Sequence, residues 1–153
     1  MTGYEIASLA IAFLSLCLSI WALVRAGKAS SASIEISLLD SITSADEKIG
    51  ECSAAMDDLL AKGVENLNDE EKTLLELKTK RYNTAKENYL NAIEEACAKY
   101  LDNKIDKKRF KKAYSSSVRK VVENQNFKKY FDPVTSKYKA ILKVYDKWFN
   151  LEK

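Results

Sequence analysis

The chain has no histidine, one proline and four glycines in 153 residues. Without histidine it lacks the commonest metal ligand and the commonest general base at neutral pH. Four scattered glycines cannot build a phosphate-cradling loop. So few helix breakers, set among abundant Ala, Leu, Lys and Glu, predict long helices and almost no sheet. The three cysteines, Cys17, Cys52 and Cys97, have no paired spacing, and Cys17 lies in an apolar run. A disulfide framework is therefore not expected, and a reducing compartment is.

Catalytic patterns are missing in the same way. Asp57-Asp58, Glu70-Glu71 and Glu94-Glu95 are adjacent pairs. Neighbours on a helix point about 100° apart, so these carboxylates do not converge on one proton and read as solvated faces. Ser115-Ser116-Ser117 has no histidine to activate it, and pairing with Lys111 or Lys120 would need a buried lysine. We expect no enzyme, no catalytic, cofactor-binding or metal-binding residue, no cofactor and no small-molecule substrate.

What is present begins with Ile6 to Val24, IASLAIAFLSLCLSIWALV, an uncharged run of nineteen residues. At about 1.5 Å per residue it makes a helix of roughly 28 Å, close to the hydrocarbon thickness of a bilayer. The expectation is a single-pass membrane anchor over residues 1–25. No Lys or Arg precedes the run, whereas Arg25 and Lys28 follow it, so the positive-inside rule puts the amino terminus outside and the rest in the cytoplasm. A cleaved signal peptide with Ser30-Ser31-Ala32 as its site competes, but its basic residues would stand on the wrong side. Glu5 lies at the outer edge and reads as solvated, and Tyr4 and Trp21 suit the two interfaces. Ser8, Ala12, Ser15, Ser19 and Ala22 recur at spacings of four and three, a stripe of small residues that lets membrane helices approach closely.

Residues 26–37 read as a neck or as a continuation of the helix, and 38–153 as a cytoplasmic helical domain. Leu38, Ile42, Ala45, Ile49, Cys52, Met56 and Leu59 form a heptad seam that predicts coiled-coil packing. Gly63 suits a C-cap, with Val64 to Leu67 as the loop. Asn68 and Glu71 have the form of a capping box opening a second long helix to about Leu101. Its apolar face is Leu75, Tyr82, Ala85, Tyr89, Ile93, Ala96 and Tyr100. The short connection favours a long antiparallel hairpin. Asp106 is a candidate N-cap for a third helix to about Glu123, with Phe110, Tyr114, Val118, Val121 and Val122 inward. Asp132-Pro133 predicts the start of a fourth, with Val134, Tyr138, Ile141, Leu142, Tyr145, Trp148 and Phe149 inward. The expected fold is all-α: a transmembrane helix, the hairpin and two shorter helices forming a cytoplasmic bundle.

Charge is unevenly spread. Residues 1–100 carry 10 Lys and Arg against 16 Asp and Glu, whereas residues 101–153 carry 15 against 6. The basic half either packs on the acidic one or meets an external anion. Lys111, Lys112, Lys128, Lys129, Lys137 and Lys139 are candidates for an anionic surface. In Phe127-Lys128-Lys129-Tyr130-Phe131 the rings either close the core or join the lysines against lipid or, less favoured, nucleic acid.

The apolar run and the stretch from Tyr89-Leu90-Asn91-Ala92-Ile93-Glu94-Glu95 through Leu101-Asp102-Asn103-Lys104-Ile105-Asp106 resemble small bacterial single-pass membrane proteins of uncharacterised function. The similar part covers the anchor and about residues 80 to 125. The resemblance implies a bacterial inner-membrane location and transfers no site residue. Together these readings favour a membrane-anchored interaction or scaffold protein that meets lipid through its first helix and binds a protein partner or itself. The alternatives are a membrane-active effector whose anchors assemble into a pore or perturb the bilayer, and a binder of anionic lipid or nucleic acid through the basic half.

Overall fold

A computed structural model describes residues 3–132 and 135–150, and within them the side chains of all but residues 3, 5–7, 9 and 10. Pro133, Val134 and the Glu5 side chain, each given a place by sequence reasoning, lie outside the described residues. The protein is an all-helical bundle. Helix α1 runs unbroken over Gly3–Ala61, α2 over Asp69–Leu101, α3 over Lys107–Glu123 and α4 over Lys139–Phe149, with 3-10 turns at Val64–Asn66 and Gln125–Tyr130.

Local chemistry explains most of these limits. Helix α1 gives way to Gly63, whose φ of 77° suits a residue without a Cβ, and whose N–H donates to the Leu60 carbonyl. The Asn68 side chain accepts from the Glu71 N–H at 2.9 Å, and Glu71 Oε2 accepts from the Asn68 N–H at 3.1 Å. This closes a reciprocal capping box at the start of α2. Asp106 Oδ1 accepts from the Arg109 N–H at 2.9 Å and caps α3.

The fourth helix departs from the sequence expectation. Asp132 does start a turn, since its side chain accepts from the Thr135 N–H and its carbonyl from the Ser136 N–H, but α4 begins only at Lys139. Its N-cap residue, Tyr138, supplies no side-chain acceptor. Glu94 of α2 supplies it instead: its two carboxylate oxygens accept from the Ala140 N–H at 2.8 Å and the Ile141 N–H at 2.9 Å. A carboxylate from one helix thus satisfies the free donors and the positive dipole end of another. Glu94 is half-buried, which corrects its reading as part of a solvated face.

The core forms where the four helices meet. Leu38 and Ile42 of α1 join Tyr89, Leu90, Ile93, Ala96, Cys97 and Tyr100 of α2, Phe110, Val118 and Val121 of α3, and Ile141, Val144 and Trp148 of α4. Leu90, Ala92 and Cys97 are buried beyond the single α2 face expected from the sequence, because α1 covers one side of α2 and α3 and α4 cover another. The Trp148 indole N–H donates to the Tyr100 hydroxyl at 3.0 Å, and their rings stand edge to face at 5.2 Å. Phe127 is buried beside Tyr89, while Lys128 and Lys129 are exposed, so the aromatic ring closes the core.

Along the α1 and α2 contact, Lys62 pairs with Glu71 at 2.6 Å, the Lys78 ammonium donates to the Ala55 carbonyl, and Thr79 lies 3.8 Å from the Met56 sulfur. Of the heptad positions, Leu38, Ile42, Met56 and Leu59 are buried, and Ala45, Ile49 and Cys52 are half-buried.

Two outcomes follow for stability. Truncating Glu94 to Ala leaves the Ala140 and Ile141 donors to be satisfied by water at the start of α4, and lowers stability by about 1–2 kcal/mol. Trp148 fluorescence during denaturation of the full chain in detergent, read in a Trp21→Phe background to remove the other tryptophan, follows this, and an unchanged midpoint contradicts the cap. The Lys62 and Asn68 contacts hold the Glu71 carboxyl below its usual range, as the Arg109 N–H does for Asp106. Carboxylates depressed by folding stabilise it above their unfolded pKa and stop doing so as pH falls through the folded value. Stability therefore declines below about pH 4, and less steeply in Glu71→Gln, Asp106→Asn, as followed by melting temperature against pH.

Candidate functional site

Two surfaces stand out once the bundle is in place. The first is the amino-terminal part of α1, where Ile11, Phe13, Leu14, Leu16, Leu18, Ile20, Trp21, Leu23 and Val24 are all exposed. Among the described residues one helix, near the amino terminus, is long and apolar enough to cross a membrane, and its apolar window is unburied in the fold. The Ser8, Ser15 and Ser19 hydroxyls donate to the carbonyls of Tyr4, Ile11 and Ser15 at 2.8–3.0 Å. Their polar hydrogens are thus satisfied within the helix, which makes serine tolerable in an apolar surround and leaves no free donor on the stripe they share with Ala12 and Ala22. The Arg25 guanidinium lies 5.1 Å from the Trp21 ring centroid, a cation–π contact at the boundary of the apolar run. Lys28 follows on the same helix, exposed.

The second surface is a groove of about 770 Å³ between α1 and α2, lined by Lys48, Glu51, Cys52 and Ala55 on one side and by Leu77, Lys78, Lys80, Arg81, Thr84, Ala85 and Asn88 on the other. Its floor is apolar, from Cys52, Ala55, Leu77 and Ala85. Its rim carries four cations against one carboxylate, and that carboxylate, Glu51, is already paired with Lys48 at 2.6 Å. Lys80 and Arg81 are exposed. The third layer that α3 and α4 add over the later part of α2 does not extend here. Between Asn68 and Thr84 no residue of α2 is buried, and Leu74 and Leu77 are 43% and 49% exposed.

The six candidate lysines are all exposed, on separate elements: Lys111 and Lys112 on α3, Lys128 and Lys129 in the 3-10 turn, Lys137 before α4 and Lys139 at its start. Lys129 Nζ lies 3.5 Å from Asn83 Oδ1 and 4.9 Å from the Tyr130 ring centroid, and Lys137 sits over Tyr138. A lysine that sequence reasoning passed over is the buried one. Lys86 is 7% exposed, donates to the Asn126 carbonyl at 3.3 Å, and lies over the Tyr82 and Phe127 rings. Burial, with the Lys129 charge nearby, lowers its pKa. Its spacing from Tyr82 was the only available signal, a pair four residues apart on one helix face.

Among the described residues no group of three or more His, Cys, Asp or Glu could hold a metal ion. No family model, curated protein or solved structure matches the chain.

The three thiols differ in a way alkylation can read. Cys97 is fully buried, and burial pushes its thiol well above the ordinary range, whereas Cys52 is half-exposed in the groove. With the full chain in detergent, Cys52 reacts with iodoacetamide at least about tenfold faster than Cys97. Equal rates would contradict the packing around α2.

Proposed function

We propose that the protein is a single-pass, membrane-anchored interaction scaffold without catalytic activity. In this reading residues 1–25 cross the bacterial inner membrane with the amino terminus outside. The later half of α1 and the first half of α2 form an antiparallel, coiled-coil-like hairpin in the cytoplasm. The observation that carries it is the groove: an apolar floor with a cationic rim on a two-helix segment that the rest of the bundle leaves uncovered.

Charge complementarity supports an acidic occupant. A partner helix with an apolar stripe and flanking Asp and Glu would bury Leu77 and Ala55 and meet Lys80 and Arg81 at the rim. It would complete a three-helix layer where the chain itself provides two. A second copy in the same membrane fits less well, because copies standing side by side at one height would bring cationic rims together.

Photo-crosslinking from position 77 of the full chain in its native membrane tests this. The expected product is one partner captured through an acidic amphipathic segment, with the crosslinked peptide identified by mass spectrometry. Lys80→Glu, Arg81→Glu reduces capture by at least about tenfold, and occupancy slows Cys52 alkylation. Capture that survives the double reversal, or no product from position 77, would defeat the groove as the binding site.

A further inference from the structure

The end of the bundle nearest the apolar run carries an excess of cations, and the fold fixes its height. Glu35 of α1 accepts from the Asp106 N–H at 2.9 Å and pairs with Arg109 at 2.8 Å. The start of α3 is thereby pinned beside Glu35, eleven residues beyond Val24. Tyr100 at the end of α2 packs on Phe110 and Trp148, which brings the end of α4 to the same level. Lys107 and Lys147 both sit over the Tyr100 ring, at 5.5 Å and 5.7 Å. Lys104, Lys107, Lys108 and Lys147 are exposed there, with Lys111 and Lys112 one turn further along α3. Of the carboxylates at this end, Glu35 is engaged by Arg109 and backbone, Asp106 caps α3, Asp146 accepts from the Asn150 side chain and Asp102 is exposed at the end of α2, so the lysines and Arg109 outnumber them.

From these contacts we infer that this end of the bundle binds the anionic headgroups of the membrane the anchor crosses, through Lys104, Lys107, Lys108 and Lys147. The inference rests on the anchor reading above. Eleven helical residues span about 16 Å, and the headgroup layer occupies about 5–7 Å of that. The remaining gap is about one Debye length, about 8–10 Å at ordinary salt, before the lysine side chains reach across it. The cations singled out from sequence near Phe127 stand elsewhere. Lys129 neighbours Asn83, beside the stretch of α2 that faces Lys48 across the groove. Lys48 is twenty-four residues beyond Val24, about 36 Å along the helix, several Debye lengths away. Arg25 and Lys28 stand between, adding to the same field.

Lysine footprinting of the full chain in nanodiscs separates the outcomes, with phosphatidylcholine alone compared with an equal mixture of phosphatidylcholine and phosphatidylglycerol. Lys104, Lys107, Lys108 and Lys147 are expected to acetylate at least about threefold more slowly in the anionic discs, with the difference shrinking as salt rises. Lys128, Lys129 and Lys137 are expected to label equally in both. Lys104→Glu, Lys107→Glu, Lys108→Glu removes the protection at Lys147. Equal labelling of the four in both lipids, or protection concentrated at Lys128, Lys129 and Lys137, overturns the inference while leaving the anchor intact. Failure of the chain to enter nanodiscs overturns the anchor reading, and this inference with it.

Discussion

Both short helices are held at their amino-terminal ends by carboxylates from the long ones. Glu94 of α2 accepts the free donors of α4, and Glu35 of α1 binds the Asp106 N–H and the Arg109 guanidinium where α3 begins. Each contact joins a helix dipole to a charge on a neighbouring helix and so fixes where the short helix starts and which way it leaves. The aromatic packing of Tyr100, Phe110 and Trp148 then has a defined geometry to fill. Without these two contacts the later part of α2 would present an apolar face with nothing to set the register of what covers it.

What could be read from the sequence was what depends on near neighbours. The capping box at Asn68 and Glu71, the Asp106 cap and the glycine stop at Gly63 are each complete within a few residues, and each formed as its spacing implied. The Leu38, Ile42, Met56 and Leu59 seam was legible because a single covered face leaves a single periodic stripe. The start of α4 was not, because Asp132-Pro133 is a strong local signal that yields only a turn, while the true acceptor lies 46 residues earlier in the chain. Glu94 looked like a solvent residue for the same reason: beside Glu95 it has no local partner, and only the fold provides one. Leu90 and Cys97 fall off the predicted stripe because α2 is covered from two directions, which blurs the period. The groove has no sequence signature, since its floor is assembled from Cys52 and Ala55 on one helix and Leu77 and Ala85 on another.

The bundle has two unlike ends. Near Glu35 it is four helices deep, with Trp148 and Ile141 sealed in. Past Lys86 it thins to α1 and α2, where Met56, Leu59 and Leu67 are the buried apolar residues. Lys86 marks the transition: its ammonium lies over the Tyr82 and Phe127 rings and reaches the Asn126 carbonyl, closing the core with an amphipathic side chain. Free energy of opening falls from the thick end to the thin one, so the segment with the groove is also the one most able to adjust to an occupant.

Helix α1 passes from the apolar run to the groove without a break, 59 residues in one piece. Under the proposed anchoring it is a lever whose fulcrum is the bilayer surface. Membrane helices commonly tilt by about 20°, and at a height of about 36 Å such a tilt carries the groove sideways by about 12 Å. Rotation of the run about its own axis likewise swings the cationic rim around the helix by the same angle, with no hinge to absorb it. Bilayer thickness and anchor packing therefore set the direction in which the groove faces its surroundings.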